Sequence, residues 1–176
     1  MTDAADPAGE TAATEALGWD EFAPLYDEHH ERLYRVALLL CHGSEEMAED
    51  AVAETFLRVY EAWSARTIEN FFPYARQTLV NLVMGQFRSE QVATPDAGTQ
   101  RSERTIDESI ADASTTFQLL EQLAPRQRTA VVLRYFEDLS YDQIASTMGV
   151  TSGTAKAQVS VGLQRMRTLM GDEEPS

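Results

Sequence analysis

The 176-residue chain has a single cysteine, Cys41, so no internal disulfide can form. No apolar run approaches the roughly 20 residues that span a bilayer, and membrane insertion is not expected. Met1 to Gly18 has neither the basic start nor the apolar stretch of a secretory signal, so the expected compartment is the cytoplasm. Metal-ligand spacing is missing too. Cys41 adjoins His42, and His29 and His30 lie earlier, but no C-x-x-C or H-x-x-x-H pattern joins them; no metal or other cofactor is expected. There is no glycine-rich phosphate loop and no nucleophile motif, so the chain does not read as an enzyme. Glu45 and Glu46 are simple helix-start charges. Cations are scarce: 14 Lys and Arg against 29 Asp and Glu, a net charge of −15. Such an excess works against strong unaided binding to DNA, where phosphate contacts supply most of the non-specific affinity.

The acids are unevenly spread. Residues 1–18 carry Asp3, Asp6, Glu10 and Glu15 with no Lys or Arg, and read as a disordered acidic tail. Residues 89–114 hold six acids against Arg101 and Arg104, and Thr94-Pro95-Asp96-Ala97-Gly98 is turn chemistry; this stretch reads as a flexible acidic linker. Residues 115–176 are nearly balanced, seven acids against six bases, and three of the acids (Asp172, Glu173, Glu174) sit in a short tail over 171–176. Two segments of helical periodicity remain, 19–88 and 115–170. The expected fold is therefore all-α, two small helical domains joined by the linker, each with a core that is marginal alone.

In the first segment Phe22, Leu25, Tyr26, Leu33, Val36, Ala37 and Leu40 predict a helix from about Asp20 to Leu40, with Pro24 in its first turn. Gly43 ends it. Ser44 can cap a second helix, whose positive end suits Glu45 and Glu46. Its apolar face is Ala48, Val52, Thr55, Phe56, Val59 and Trp63. Asp50, Glu54 and Arg58 repeat at four-residue steps on another face, which by spacing alone is a solvated stripe with an internal Glu54–Arg58 pair. A third helix starts near Pro73 and runs to Phe87; its Leu79–Met84 stretch is apolar nearly all round and should be buried.

The second segment opens near Thr115 with Phe117, Leu119, Leu120 and Leu123 in a short helix. Pro125 begins the next, with Val131, Val132, Leu133 and Phe136 apolar. Ser140 and Gln143 match the S-x-x-Q capping box. Gly149 suits a turn with positive φ, and Thr151 can cap a last helix reaching about Met170. Two helices joined by a short glycine turn match the helix-turn-helix pattern. The second would offer its first turns to a major groove, with Ser152, Thr154, Lys156 and Gln158 as candidates for base edges or phosphate. Arg165 and Arg167 lie further along, where phosphate contact fits better.

The run Glu46-Met47-Ala48-Glu49-Asp50-Ala51-Val52-Ala53-Glu54-Thr55-Phe56-Leu57-Arg58-Val59-Tyr60, with Leu33-Tyr34-Arg35-Val36-Ala37 before it, resembles the sigma-two region of extracytoplasmic-function sigma factors. Pro125-Arg126-Gln127-Arg128, Val132 to Ser140 and Gly153-Thr154-Ala155-Lys156 resemble the sigma-four region. The likeness covers nearly everything from Phe22 to Leu169, with both regions in the family's order. It implies that the helix bearing Asp50, Glu54, Phe56, Leu57 and Arg58 docks on core RNA polymerase, on the clamp helices of the largest subunit. It implies that the helix from Tyr74 to Arg88 reads and opens the minus-ten element of promoter DNA, with Arg76, Asn81, Phe87 and Arg88 as its contacts. The second domain would read the minus-thirty-five element, and the linker would thread toward the active-site and RNA-exit channels. An anti-sigma factor is the implied regulatory partner.

Three positions depart from the family's pattern. Arg88 is followed by Ser89-Glu90-Gln91 rather than a basic cluster, Val161 stands where Arg is frequent, and Ala53 where Gln is common. Two functions stay open on the residues alone. One is an active sigma factor, a specificity subunit while the polymerase performs the chemistry; Lys156, Arg165 and Arg167 favour it. The other is a sigma-like decoy or adaptor that binds polymerase or an anti-sigma factor without starting transcription; the acid balance favours that.

Overall fold

The structure is a computed structural model that describes residues 18–65, 68–93 and 111–171. Expectations for the N-terminal tail, for most of the linker (94–110) and for the C-terminal acids lie outside these residues. Seven α-helices, and no strand, occur among the described residues: α1 (Trp19–Leu40), α2 (Glu45–Ser64), α3 (Phe71–Ala93), α4 (Ala111–Glu121), α5 (Pro125–Tyr135), α6 (Tyr141–Met148) and α7 (Ser152–Met170). Helix α3 runs further into the expected linker than Arg88, and α4 starts before Thr115, so both helices extend past their apolar faces. Pro24 is the sixth residue of α1, beyond the first turn, where it offers no N–H to the carbonyl of Asp20.

The helix ends follow side-chain chemistry. The Met47 N–H donates to Ser44 Oγ (3.3 Å) at the start of α2. Before α6, the Gln143 N–H donates to Ser140 Oγ (3.2 Å) and the Ser140 N–H to Gln143 Oε1 (2.9 Å), a closed capping box. Gly149 ends α6 at φ 64°, a conformation that costs a side chain energy, and Thr151 Oγ1 accepts the Thr154 N–H to start α7.

Helices α1, α2 and α3 form one bundle. Phe22 is fully buried at its centre, with ring centroids of Tyr60 at 5.0 Å, Phe71 at 5.5 Å and Trp63 at 5.6 Å. Leu33, Leu40, Val52, Val59, Leu79 and Val80 complete the core. Helices α4 to α7 form the second bundle around Leu120, Val132, Leu133, Ile144 and Val159. Here α7 crosses α5 at Gly162, where an added Cβ would stand 2.7 Å from Val131 Cγ2. The close approach fixes the last helix on the rest of its domain.

The two domains pack against each other through α1 and α3 on one side and α5 and α6 on the other. Thr129 Oγ1 on α5 donates to Met84 Sδ on α3 (3.3 Å), and Gln77 Nε2 on α3 to the Ser146 carbonyl on α6 (3.4 Å). Two small cores thus share one seam and shield each other.

Gly162→Ala should lower the stability of the folded chain by about 1–3 kcal/mol through overpacking against Val131, read as a lower urea midpoint. Gly153→Ala adds a Cβ that meets nothing within 4 Å and should cause no such loss.

Candidate functional site

Helix α2 turns one face to solvent. Asp50, Leu57 and Arg58 are exposed, Leu57 at 63%, and Glu54 Oε1 accepts from Arg58 Nε at 2.7 Å. Phe56 points the other way. It is buried against Tyr26 (4.5 Å between centroids), His30 and Phe22, so in this conformation it fills the core and offers no surface to a partner.

The four residues of interest on α3 divide between two faces. Arg76 and Phe87 are eleven residues apart and share one face; Asn81 and Arg88, seven apart, share another about 140° away at roughly 100° per residue. Asn81 and Arg88 are exposed. Arg76 is buried and Phe87 half-buried, because their face is the one that meets the second domain.

Helix α7 buries Ala155, Val159 and Gly162 against its own domain. Over its first turns the outward strip is small or apolar, with Gly153, Ala157, Ser160 and Val161 all exposed, and Gln164 continues it toward the C-terminal end. Lys156 and Arg167 flank that strip on one side, Gln158 and Arg165 on the other, and all but the half-buried Gln158 are exposed. A helix with a small-residue ridge and polar flanks can enter a groove and reach phosphates on both walls. Two of the expected readers have hydroxyls already engaged. Ser152 Oγ donates to Asp142 Oδ1, and Thr154 Oγ1 hydrogen-bonds Thr151 Oγ1 at 2.9 Å.

The seam between the domains holds two charged residues that sequence periodicity did not single out. Arg128 on α5 is 1% exposed. Its Nε donates to the Leu120 carbonyl (2.8 Å), its Nη2 to the Leu123 carbonyl (2.9 Å), and its Nη1 to the Leu40 carbonyl of the first domain (3.0 Å). Nη1 also lies 2.7 Å from His42 Nε2. Since the guanidinium only donates, that ring nitrogen accepts and the ring proton sits on Nδ1. Burial brings the Arg128 pKa down to about 10, with Cys41 and Glu121 opposing the shift, so the group is charged at neutral pH. Glu137, in the turn after α5, has a side chain 2% exposed. Its carboxylate accepts from Arg32 Nε and Nη2 and from Arg76 Nη1, each at 3.1 Å. The signal for Arg128 was present, a charge one turn before Val131 and Val132 on the apolar side of α5. Glu137 gave none.

Comparison with known proteins agrees with this architecture. Residues 25–92 match the family model of sigma-70 region 2, and residues 117–166 that of sigma-70 region 4. The ECF RNA polymerase sigma factor SigE of Mycolicibacterium smegmatis is 31% identical over 92% of this chain and 67% of that protein. SigL of Mycobacterium tuberculosis is 32% identical over 90% of this chain and 92% of that protein. The sigma factor RpoE from Bartonella quintana, solved in complex with the anti-sigma factor NepR, shares the fold at a TM-score of 0.73 and 21% identity, over 88% of this chain and 99% of that one. The chain belongs to the extracytoplasmic-function sigma factors, alternative sigma factors of bacterial RNA polymerase. No helix among the described residues is long and apolar enough to cross a membrane.

His42 gives the seam a pH dependence. Its pKa is lowered from 6.5 to about 4, first by burial and second by the Arg128 charge. Cys41 precedes it, and the Phe87 ring of α3 stands 5.3 Å away. Below about pH 6.5 the unfolded chain takes up a proton that the folded ring refuses until pH nears 4, so stability falls across that window. His42→Asn, which tolerates the φ of 54° at this position, should lose less stability than the wild type between about pH 7 and about pH 5 in urea titrations.

Proposed function

We propose that the protein binds core RNA polymerase through the exposed face of α2 and directs initiation by reading promoter DNA with α7 and α3. The observation that carries this is the surface of α7, a small-residue strip flanked by Lys156 and Arg167 on one side and Gln158 and Arg165 on the other. That pattern suits the minus-thirty-five duplex, with the charges on phosphate. Asp50, Glu54, Leu57 and Arg58 are the polymerase-docking residues; an exposed leucine between charges supports this, since it buries apolar area only when a partner covers it. Phe56 shapes that helix from beneath. Asn81 and Arg88 meet the minus-ten element as the chain stands, and Arg76 and Phe87 join them once the domain seam parts. The protein performs no chemistry of its own and works in the cytoplasm. An anti-sigma factor is its regulatory partner, in keeping with a fold shared with a sigma factor solved with one.

Core polymerase lacking sigma, mixed with this protein and fragmented genomic DNA of its source, should give discrete transcript starts that share two upstream motifs. Stable core binding without starts, beside an active control sigma, would instead favour the decoy reading. On the promoter so found, Lys156→Ala should weaken holoenzyme binding and reduce the slope of log affinity against log salt by about 0.9, the share of one phosphate contact. An unchanged slope would remove Lys156 from the phosphate contacts.

A further inference from the structure

Arg32 on α1 and Arg76 on α3 reach the same place from different helices. Both guanidinium carbons lie over the Phe72 ring, at 4.2 Å and 5.5 Å from its centroid. Two cations beside an aromatic ring are the elements of a single-strand site, with phosphate on the guanidinium groups and a base on the ring. Such a site is built for an anion, and the closed chain supplies one from within. Glu137 bonds Arg32 through both of its oxygens and Arg76 through one.

Two features mark Glu137 as an imperfect occupant. It brings one negative charge to two positive ones. Arg76 Nε, on a side chain 8% exposed, has no hydrogen-bond partner among the described residues. A phosphate presents more acceptor oxygens than a carboxylate and could engage that donor. Glu137 is itself held firmly. Its N–H donates to the Val132 carbonyl (3.3 Å), Asp138 turns the chain at φ 51°, and Arg134 Nη1 ties the Leu139 carbonyl at 2.8 Å. The carboxylate therefore arrives with the whole second domain, and leaves with it.

We propose that Arg32, Phe72 and Arg76 form a phosphate-binding site for the promoter strand on the first domain, and that Glu137 occupies it in the closed chain as a built-in competitor. This rests on the reading that α3 meets promoter DNA, and it adds Arg32, Phe72 and Glu137 to that surface. Freeing the site requires the domains to part, so strand binding and domain opening are one equilibrium. The apparent affinity for the strand is scaled by the fraction of chains that are open.

The test uses the full chain, with a fluorescent mixed-sequence single-stranded DNA oligonucleotide as probe and small-angle scattering as the readout of domain separation. Glu137→Gln should enlarge the radius of gyration and tighten strand binding about tenfold, the gain when the open fraction rises from about a tenth to nearly all. Adding Arg76→Gln should remove the gain. Arg32→Gln, at a side chain 51% exposed, keeps the fold testable if the Glu137 variant misfolds; it should open the domains yet fail to tighten strand binding. An unchanged radius in both single variants would overturn the latch. Opening without tighter strand binding in Glu137→Gln would overturn the phosphate site, and with it the promoter reading of Arg76, while leaving the seam as a structural contact.

Discussion

A guanidinium has five donors and no acceptor, so a fold that buries one must bring oxygens to it. Arg128 is buried in this way, and the oxygens come from the C-terminal ends of two helices in different domains. Leu120 and Leu123 belong to the α4–α5 corner, and Leu40 to the end of α1. Helix C-termini carry unpaired carbonyls and partial negative charge, so a cation there satisfies both at once. The second domain needs Arg128 to close its corner, and the first domain provides the remaining acceptors. A buried charge stripped of its partners would cost several kcal/mol, so the placement of α5 against the end of α1 is strongly specified. The seam follows from that constraint.

Once α5 is seated on α1, the turn after it carries Glu137 to Arg32 and Arg76, and α6 reaches Gln77 of α3. The consequences for binding are unequal. The outward strip of α7 lies away from the seam, and so does the exposed face of α2. The Arg76–Phe87 face of α3 is covered. A closed chain therefore leaves exposed the surfaces proposed for polymerase docking and duplex reading, while it withholds part of the surface proposed for an opened strand. A sigma subunit that read single strands freely would meet them wherever DNA or RNA is unpaired. Tying that surface to the position of the second domain links its exposure to an event that separates the domains.

Local chemistry was legible in the sequence, and long-range chemistry was not. Ser44, the Ser140–Gln143 box, Gly149 and Thr151 act where they were expected, because a cap depends on residues within four positions. Apolar periodicity located α1 to α5, and the caps and the glycine turn located α6 and α7. It did not find Gly162, whose role is set by Val131 on another helix, or the Glu137 cluster, whose members are 61 and 105 positions apart. Phe56 shows how a family pattern and a helical period can compete. The resemblance assigned it to docking, the period to the apolar face, and the buried aromatic cluster follows the period. For α3 the resemblance picked residues without regard to face, and the 140° between them is what the seam turns into a covered and an open pair.

The charge balance takes on a different meaning at this level. A chain with net charge −15 should repel DNA, and among the described residues five of its cations are already engaged within the fold. Arg35 and Arg58 are paired with acids one turn away on their own helices, Arg32 and Arg76 with Glu137, and Arg128 is buried on carbonyls. The exposed cations of α7 (Lys156, the only lysine of the chain, Arg165 and Arg167) lie where no acid follows until the tail. Within a Debye length of about 10 Å these local charges, together with Asp142 hydrogen-bonded to Ser152 at the start of α7, set the field a phosphate meets. The excess acid then acts against binding elsewhere on the surface. On the proposed reading, affinity for DNA falls to α7, to the α3 surface and to whatever the core polymerase contributes, and a subunit that should engage promoters only as part of the holoenzyme gains from being a weak binder alone.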